Sequence, residues 1–562
     1  MRVLGVNAVF HDPAAALVVD GEIVAAAEEE RFSRRKHGKA PVPFSTWELP
    51  EQAIRFCLAR GGLCADELDA VAYSYDPALA PALDGDITAD AWEGLRTLYA
   101  QRAPRFLASA LPGLDAGRVR FVGHHLAHAA SAARVAGWDS CAVLVVDGRG
   151  ERASHFAGHL QADGRIVRLA AQELPHSLGL RYEELTEHLG FRRSSDEYKV
   201  MAMASYGTPR HLGRFRELMH DDRRGGFRTL PVDWSDFAPA LRDGDEWLPA
   251  HADLAATIQH RLEEMLVALA GWLHEQTGET RLALAGGVAL NCVANSRLWR
   301  EGPFRELWVQ PASGDAGTAL GAALEVAAEL GDPTPRMTSA ALGPEWGDDE
   351  LAARLDAAAI VYERPDDLAE TVAEALADNG IVAWFQGRSE YGPRALGHRS
   401  LLADPRDPLN TERLNEVKGR EQFRPVAPMV LAERAHELFD GGPLPSPFML
   451  FTHRVEDGWR RRIPAVVHVD GTARIQTVDP ATEPLMARVL EAFERRTGVP
   501  VVVNTSLNTA GRPMVDDPRD ALECFGSAPI DLLAMGPFVV RRPSRPGAAA
   551  GGAGREAQAV VG

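Results

Sequence analysis

At 562 residues, with 46% apolar and 25% charged side chains, the chain is too long for one hydrophobic core and has the composition of a globular protein of several domains. A formal charge of -19 argues against nucleic-acid and anionic-membrane partners, which need a basic face, and no apolar stretch is long enough to span a bilayer. Five scattered cysteines (Cys57, Cys64, Cys141, Cys292, Cys524) never form a C-x-x-C pair, so neither a disulfide framework nor a thiolate zinc site is implied, and a reducing, cytoplasmic setting is expected.

Residues 1–8 (MRVLGVNA) read as a strand, and the loop Val9-Phe10-His11-Asp12-Pro13 leads into AAALVVDGEIVAAAEEE, where Asp20-Gly21 is a hairpin signal. DAWEGLRTLYAQRAPRFLASAL reads as a helix. The opening plan then returns: CAVLVVDGRGERASHFAGHL runs into QADGRIVRLAAQEL, so duplicated halves facing one cleft are predicted. In HADLAATIQHRLEEMLVALAGWLHEQTG, Leu254, Ile258, Leu262, Leu266, Leu269 and Leu273 fall three or four apart, which gives a helix with one buried stripe and Gly278 as its cap. The strand LALAG follows, and the alternation of strands and helices predicts an α/β architecture. Pro, Gly and small residues over 333–347 mark a boundary between a first domain, 1–345, and a second, 355–542. In the second, DDLAETVAEALADNG is a capped helix before the strand IVAWF, and apolar strands return at VPVVVN and LLAMGPFVV. The tail, 543–562, is low in complexity and expected to be disordered.

Two constellations carry chemistry. His124 and His128 in HHLAHAA lie one helical turn apart, close enough to ligate one ion through imidazole nitrogens. Alone, such a pair more often satisfies a core. Here Asp147, at the end of the apolar strand AVLVV, and Asp315, in the loop PASGDAGTALG, supply the carboxylates that complete a site of two histidines and two oxygens. Three Gly-rich turns flank these residues: Asp147-Gly148-Arg149-Gly150-Glu151, Ala285-Gly286-Gly287-Val288-Ala289-Leu290-Asn291 and Ser313-Gly314-Asp315-Ala316-Gly317. Glycines let backbone amides approach a phosphate, so a nucleotide fits, although no Walker-type G-x-x-x-x-G-K-S/T motif is present.

The second constellation spans 386–428, with eight Arg or Lys residues against six acids, opposite in sign to the whole chain. Arg388, Arg394 and Arg399 interleave with Gly387, Gly392 and Gly397 as in a phosphate-binding loop, and Lys418, Arg420 and Arg424 follow. Downstream, VVVNTSLNTAGRPMV places Asn504, Ser506 and Asn508 at the end of an apolar strand, where they either face a cleft or close the strand in an Asx turn.

In this order, VNAVFHDPAAALVVDG, HHLAHAA, LVVDGRGE, SSDEYKVMAMASYG, LAGGVALNCVANSRL and PASGDAGTALGAAL resemble the amino-terminal part of the carbamoyltransferase family of nodulation and antibiotic biosynthesis. That part is similar to the duplicated, actin-related fold of the tRNA threonylcarbamoyl-transfer enzymes. The carboxyl-terminal part resembles the same family's adenylate-forming domain of YrdC type, and together the likeness covers nearly the whole chain. The resemblance implies that His124, His128, Asp147 and Asp315 hold Fe2+ or another divalent ion. Gly286, Gly287 and Asn291 would then hold the nucleoside, and His11 and Asp12 would stand beside the acceptor hydroxyl. Asp196 and Lys199 fall in a family motif, with a helix-start acid and a surface lysine as their plainer reading. Lys418, Arg424, Arg394, Asn504 and Ser506 would bind ATP, accompanied by Mg2+, and carbamoyl phosphate.

The implied reaction makes carbamoyl adenylate in the second domain and transfers its carbamoyl group in the first, with His11 as a general base of near-neutral pKa. Two rivals share parts of this pattern. A sugar-kinase or chaperone-type ATPase has no use for the Arg-rich segment, and a tRNA-modifying enzyme fits poorly with the acidic charge. A small hydroxylated natural product is therefore the expected acceptor. The acid-rich segment with Asp84, Asp86, Asp90 and Glu93 favours a cationic aminoglycoside, with a cephem, coumarin sugar, macrolactam or nodulation oligosaccharide as alternatives. The sequence leaves the oligomeric state open, a homodimer being one arrangement it allows.

Overall fold

The computed structural model describes residues 1–38, 48–81, 87–242, 244–509 and 511–542, without the side chains of 87–93. The expected disordered tail, 543–562, and the acidic side chains of Asp84, Asp86, Asp90 and Glu93 lie outside the described residues.

The echo in the sequence is a duplication of topology. The first sheet runs Glu22–Glu28, Ala14–Val19, Arg2–Asn7, Ala70–Tyr73, Val119–Phe121, and the second Ile166–Glu173, Ala153–Leu160, Cys141–Val146, Arg281–Ala285, Glu306–Val309. In each, the first three strands are antiparallel and the last two join in parallel. The hairpin at Asp20-Gly21 turns through φ of 49° and 83°, the left-handed pair that matches strand twist. This duplicated α/β arrangement is the actin-like fold expected from the sequence.

Each fifth strand leads into a helix, His124–Ala133 in the first half and Ala316–Glu329 in the second, and the two helices pack on each other. Glycine permits this contact. A Cβ at Gly321 would stand 1.8 Å from the carbonyl oxygen of Ala127, and one at Gly5 would stand 1.8 Å from that of Ala319. The second helix is thereby pressed against both its counterpart and the central strand Arg2–Asn7, which brings Asp315, just before it, beside His124 and His128. The long helix Pro249–Thr277 buries Leu254, Ile258, Leu262, Leu266, Leu269 and Leu273 on one side, and Gly278 closes it at φ 67°.

The downstream α/β region is a seven-stranded mixed sheet in the order Gln476–Val478, Ala427–Leu431, Val501–Ser506, Arg399–Ala403, Val382–Phe385, Leu532–Met535, Phe538–Arg541. Its own core gathers Trp384, Phe385, Leu401, Val502 and Phe493. The helix Leu368–Ala377 begins at Asp367, whose carboxylate accepts from the N–H groups of Ala369 and Glu370. Residues 333–347 are tied to both sides: Ala26 N–H donates to Leu342 O, while Ser389 and Tyr391 N–H donate to Pro344 O and Ala340 O. Among the described residues, no helix is long and apolar enough to cross a membrane.

Gly321→Ala should lower stability by about 1–3 kcal/mol, because the added methyl meets backbone that cannot yield. Gly271→Ala, in the helix Pro249–Thr277 with nothing within 4 Å of the new Cβ, should instead raise it by about 0.5–1 kcal/mol. Denaturant midpoints of the two variants check this, and equal effects would contradict the packing described.

Candidate active site

His124, His128, Asp147 and Asp315 converge as the spacing predicts, and all four are buried. His124 Nε2 lies 3.3 Å from Asp147 Oδ2 and 3.6 Å from Asp315 Oδ1, and His128 Nε2 lies 3.7 Å and 3.6 Å from the same two oxygens. Four donor atoms stand within 4.8 Å of one another. Three of the four imidazole nitrogens, His124 Nδ1 and both nitrogens of His128, are buried with no hydrogen-bond partner, a costly state that a cation relieves at His128 Nε2. Two imidazoles and two carboxylates suit iron or zinc. The helix start is fixed from outside the cluster, since Glu151 accepts from the N–H groups of His124 and Asp76.

Beside this cluster, His11 N–H donates to Asp315 Oδ2 at 3.4 Å. The two oxygens of Asp12 each meet one imidazole: His11 Nδ1 at 2.9 Å and His37 Nδ1 at 2.8 Å. Burial works against a charged imidazole here, but Asp315 and Asp12 outweigh it and raise His11 to about 10. This departs from the near-neutral value expected of a base, because the sequence shows Asp12 beside His11 but not Asp315, which the fold brings to it.

The glycine turns divide. Gly148 and Gly287 line the cavity, and Gly287 N–H donates to Asp147 Oδ1 at 3.0 Å. Gly150 and Gly286 do not. A Cβ at Gly150 would strike the His125 ring at 2.6 Å, and one at Gly286, at φ 90°, would strike Val146 O at 2.3 Å. Both serve close packing behind the site. Asn291 reaches the cavity while capping the helix Cys292–Glu301 and exchanging hydrogen bonds with Gln259. Asp196 and Lys199 also line it, paired at 3.0 Å, and Lys199 pairs with Glu421 at 2.7 Å.

The Arg-rich segment contributes Arg394, Lys418, Arg420 and Arg424 to the same cavity, with Asn504, Ser506 and Asn508 from the strand end. Lys418 Nζ donates to the Ser506 carbonyl and hydroxyl and to Asn508 Oδ1. Burial, then the neighbouring Arg420 and Arg424, hold this amine far below an ordinary lysine. Burial and Arg474 push Arg394 down to about 9, and burial with Arg424 does the same to Arg420. Arg394 Nε, Arg420 Nη2 and Arg474 Nε are buried without partners, and among the described residues the one ion pair in this group is Arg424 with Glu421, at 3.5 Å. Positive charge buried without counter-charge is a site for an anion.

Arg388 is a correction: it stays out of the cavity, and its guanidinium donates to the carbonyls of Val24, Leu342 and Gly343. Arg399 likewise lies over the Phe385 ring at 3.8 Å and donates to Gln386, Gly387 and Pro344. Carbonyl-rich turns need donors, and two of the three interleaved arginines supply them. Residues given no role from the sequence complete the site: His37 and Arg474 line the cavity but stand in no motif, and Ser195 lines it from within the motif that holds Asp196 and Lys199.

A single cavity of about 570 Å3 is lined by Asp147, Asp315, His11 and Asp12 from the duplicated sheets and by the cationic group from the seven-stranded one. The duplicated sheets and the cationic α/β layer thus meet on one cavity, an arrangement suited to group transfer. The chain matches the family models for the carbamoyltransferase N-terminus over residues 2–324 and the carbamoyltransferase C-terminus over 373–542, and it belongs to the carbamoyltransferase family. Nodulation protein NolNO of Sinorhizobium fredii is 39% identical, over 95% of this chain and 80% of its own. Nodulation protein NolO of Bradyrhizobium diazoefficiens is 41% identical, over 75% and 78% respectively, and an uncharacterised protein of Synechocystis is 36% identical over 97% of both chains.

Purified protein should carry about one equivalent of iron or zinc by elemental analysis, and His128→Ala or Asp147→Asn should lose it. Unchanged metal content in both variants would remove the cluster from the metal-binding role.

Proposed function

We propose that the chain is an ATP-dependent O-carbamoyltransferase that makes carbamoyl adenylate and passes the carbamoyl group to a hydroxyl of a small natural product. The observation that carries this reading is the one cavity shared by an unneutralised cationic group and the His11-Asp12 pair beside the metal-type cluster. Arg394, Lys418, Arg420, Arg424 and Arg474 bind the phosphates of carbamoyl phosphate and of ATP, which enters with Mg2+. Asn504, Ser506 and Asn508 orient Lys418 and the donor. Water hydrolyses carbamoyl phosphate to carbamate and phosphate, a carbamate oxygen then bonds the α-phosphorus of ATP, and pyrophosphate leaves with the electrons of the broken P–O bond. Gly148, Gly287 and Asn291 hold the nucleotide in the transfer half.

His124, His128, Asp147 and Asp315 would hold a divalent ion, which would supply Lewis-acid polarisation and offset the charge of Asp315, the largest charge acting to keep His11 protonated. His11 Nε2 then accepts the acceptor's proton as its oxygen bonds the carbamoyl carbon and AMP departs with the electrons of the broken C–O bond. Enclosure by protein walls keeps water from the labile adenylate.

The favoured acceptor is a cationic aminoglycoside of tobramycin or kanamycin type. The net charge of -19 and the carboxylates Glu183 and Glu197 in the cavity wall support it. The names of the nodulation relatives favour a nodulation oligosaccharide as the second reading. Mass spectrometry with ATP, carbamoyl phosphate and both acceptor classes decides between them through the gain of one carbamoyl group.

Lys418→Ala and Arg424→Ala should abolish pyrophosphate formation, whereas His11→Ala should keep it and lose transfer by about 100- to 10,000-fold. Equal loss of both activities in all three variants would contradict the division of labour.

A further inference from the structure

His37 stands in no motif, yet it ends a hydrogen-bonded chain that runs into the transfer site. Ser195 Oγ lies 2.8 Å from His37 Nε2, His37 Nδ1 lies 2.8 Å from Asp12 Oδ1, and Asp12 Oδ2 lies 2.9 Å from His11 Nδ1. Lys36 Nζ approaches Ser195 Oγ at 3.4 Å from the far side. We infer that His37 is a positioning residue for carbamoyl transfer: it holds the Asp12 carboxylate so that Asp12 fixes the orientation and tautomer of His11. The inference rests on the transfer reading above.

With both imidazoles neutral, the geometry leaves one consistent assignment of protons. A carboxylate only accepts, so each Nδ1 must carry the hydrogen it shares with Asp12. The Ser195 hydroxyl then donates to His37 Nε2, and on neutral His11 the remaining nitrogen, Nε2, is the one free to accept a proton. Asp12 sits at φ 50°, a left-handed conformation unusual for a residue other than glycine, and two side-chain nitrogens of other residues grip its carboxylate. Its backbone is held too, since Asn7 Nδ2 donates to the carbonyls of both His11 and Asp12 at 3.0 Å and 2.9 Å. With the main chain pinned by Asn7 and one carboxylate oxygen taken by His37, the other oxygen has one direction left, toward His11.

His37 is itself held by its own segment and by a second one. Its N–H donates to Glu30 Oε2 at 2.8 Å, and Ser195 belongs to the turn before the helix Glu197–Ala204. That turn lines the cavity through Ser194, Ser195 and Asp196, and the helix it opens adds Glu197 and Tyr198. A shift of that turn is transmitted through His37 and Asp12 to the base.

The test uses the full-length, metal-loaded protein, with tobramycin as one acceptor and water, through release of AMP, as the other. His37→Ala should lower kcat for transfer in both arms by about 10- to 100-fold, as outer-shell partners do, while the tobramycin KM changes little. His37→Asn, whose amide can still donate to Asp12, should recover most of that loss. The pair His37→Ala/Asp12→Ala should be no slower than Asp12→Ala alone, since the two act in series. An unchanged kcat for His37→Ala, an Asn variant as slow as Ala, an effect confined to KM, or additive losses would each overturn the inference. So would the loss of a second equivalent of metal from His37→Ala, which would make His11, Asp12 and His37 an ion site. If His11→Ala itself transfers at the wild-type rate, the transfer reading has failed, and that result is separable from all of these.

Discussion

Unneutralised charge in a buried place is the constraint on which the rest of the molecule turns. Lys418 is buried and Arg394, Arg420 and Arg474 are half-buried with no carboxylate partner among the described residues, and Asp147 and Asp315 face each other across two buried imidazoles. Either group alone is expensive, because an isolated buried charge costs several kcal/mol even after relaxation. On the proposed function the fold tolerates both because phosphate offsets one and a cation the other. Asp147 and Asp315 share a cavity with the cationic group, as one reaction path from activation to transfer requires.

Holding two such groups in register requires the regions that carry them to be locked together. Gly392, two residues before Arg394, donates its N–H to Glu28 and accepts from Arg31, both at 2.8 Å, so one residue of the downstream region is gripped by the end of the strand Glu22–Glu28 and the short helix after it. Glu28 and Arg31 are themselves a buried pair, and loss of one partner in such a pair commonly costs about 3–5 kcal/mol. Arg34 reaches the carbonyls of Pro513 and Met514 and the carboxylate of Asp520. Lys199 reaches Glu421 from the opposite wall, three residues from Lys418. Polar contacts of this kind set direction as well as distance, which an apolar seam does not.

Much of this was legible in the sequence, for identifiable reasons. The duplication showed because hairpin signals recur with the same strand pattern, and the helix Pro249–Thr277 showed because its leucines keep one face. The four-residue cluster was legible because His124 and His128 share a helix and both acids stand at strand or helix ends. What failed shares a cause as well: Arg388, Arg399, Gly150 and Gly286 lie in the right segments, but direction within a turn depends on which carbonyls and rings come near, and those belong to distant parts of the chain. Arg388 is claimed by Val24 and Leu342, and Gly150 by His125. His37 and Arg474 were invisible for the converse reason, since each is a lone residue brought to the cavity by tertiary structure alone.

The central claim is that one chain's cavity carries the activated carbamoyl group from its making to its use. Mixing the variants Lys418→Ala and His11→Ala, one deficient in activation and the other in transfer, tests it most directly. If the intermediate stays within the chain, the mixture carbamoylates the acceptor no faster than the two variants measured apart. Restored turnover on mixing would show that the adenylate escapes into solution and would contradict the account.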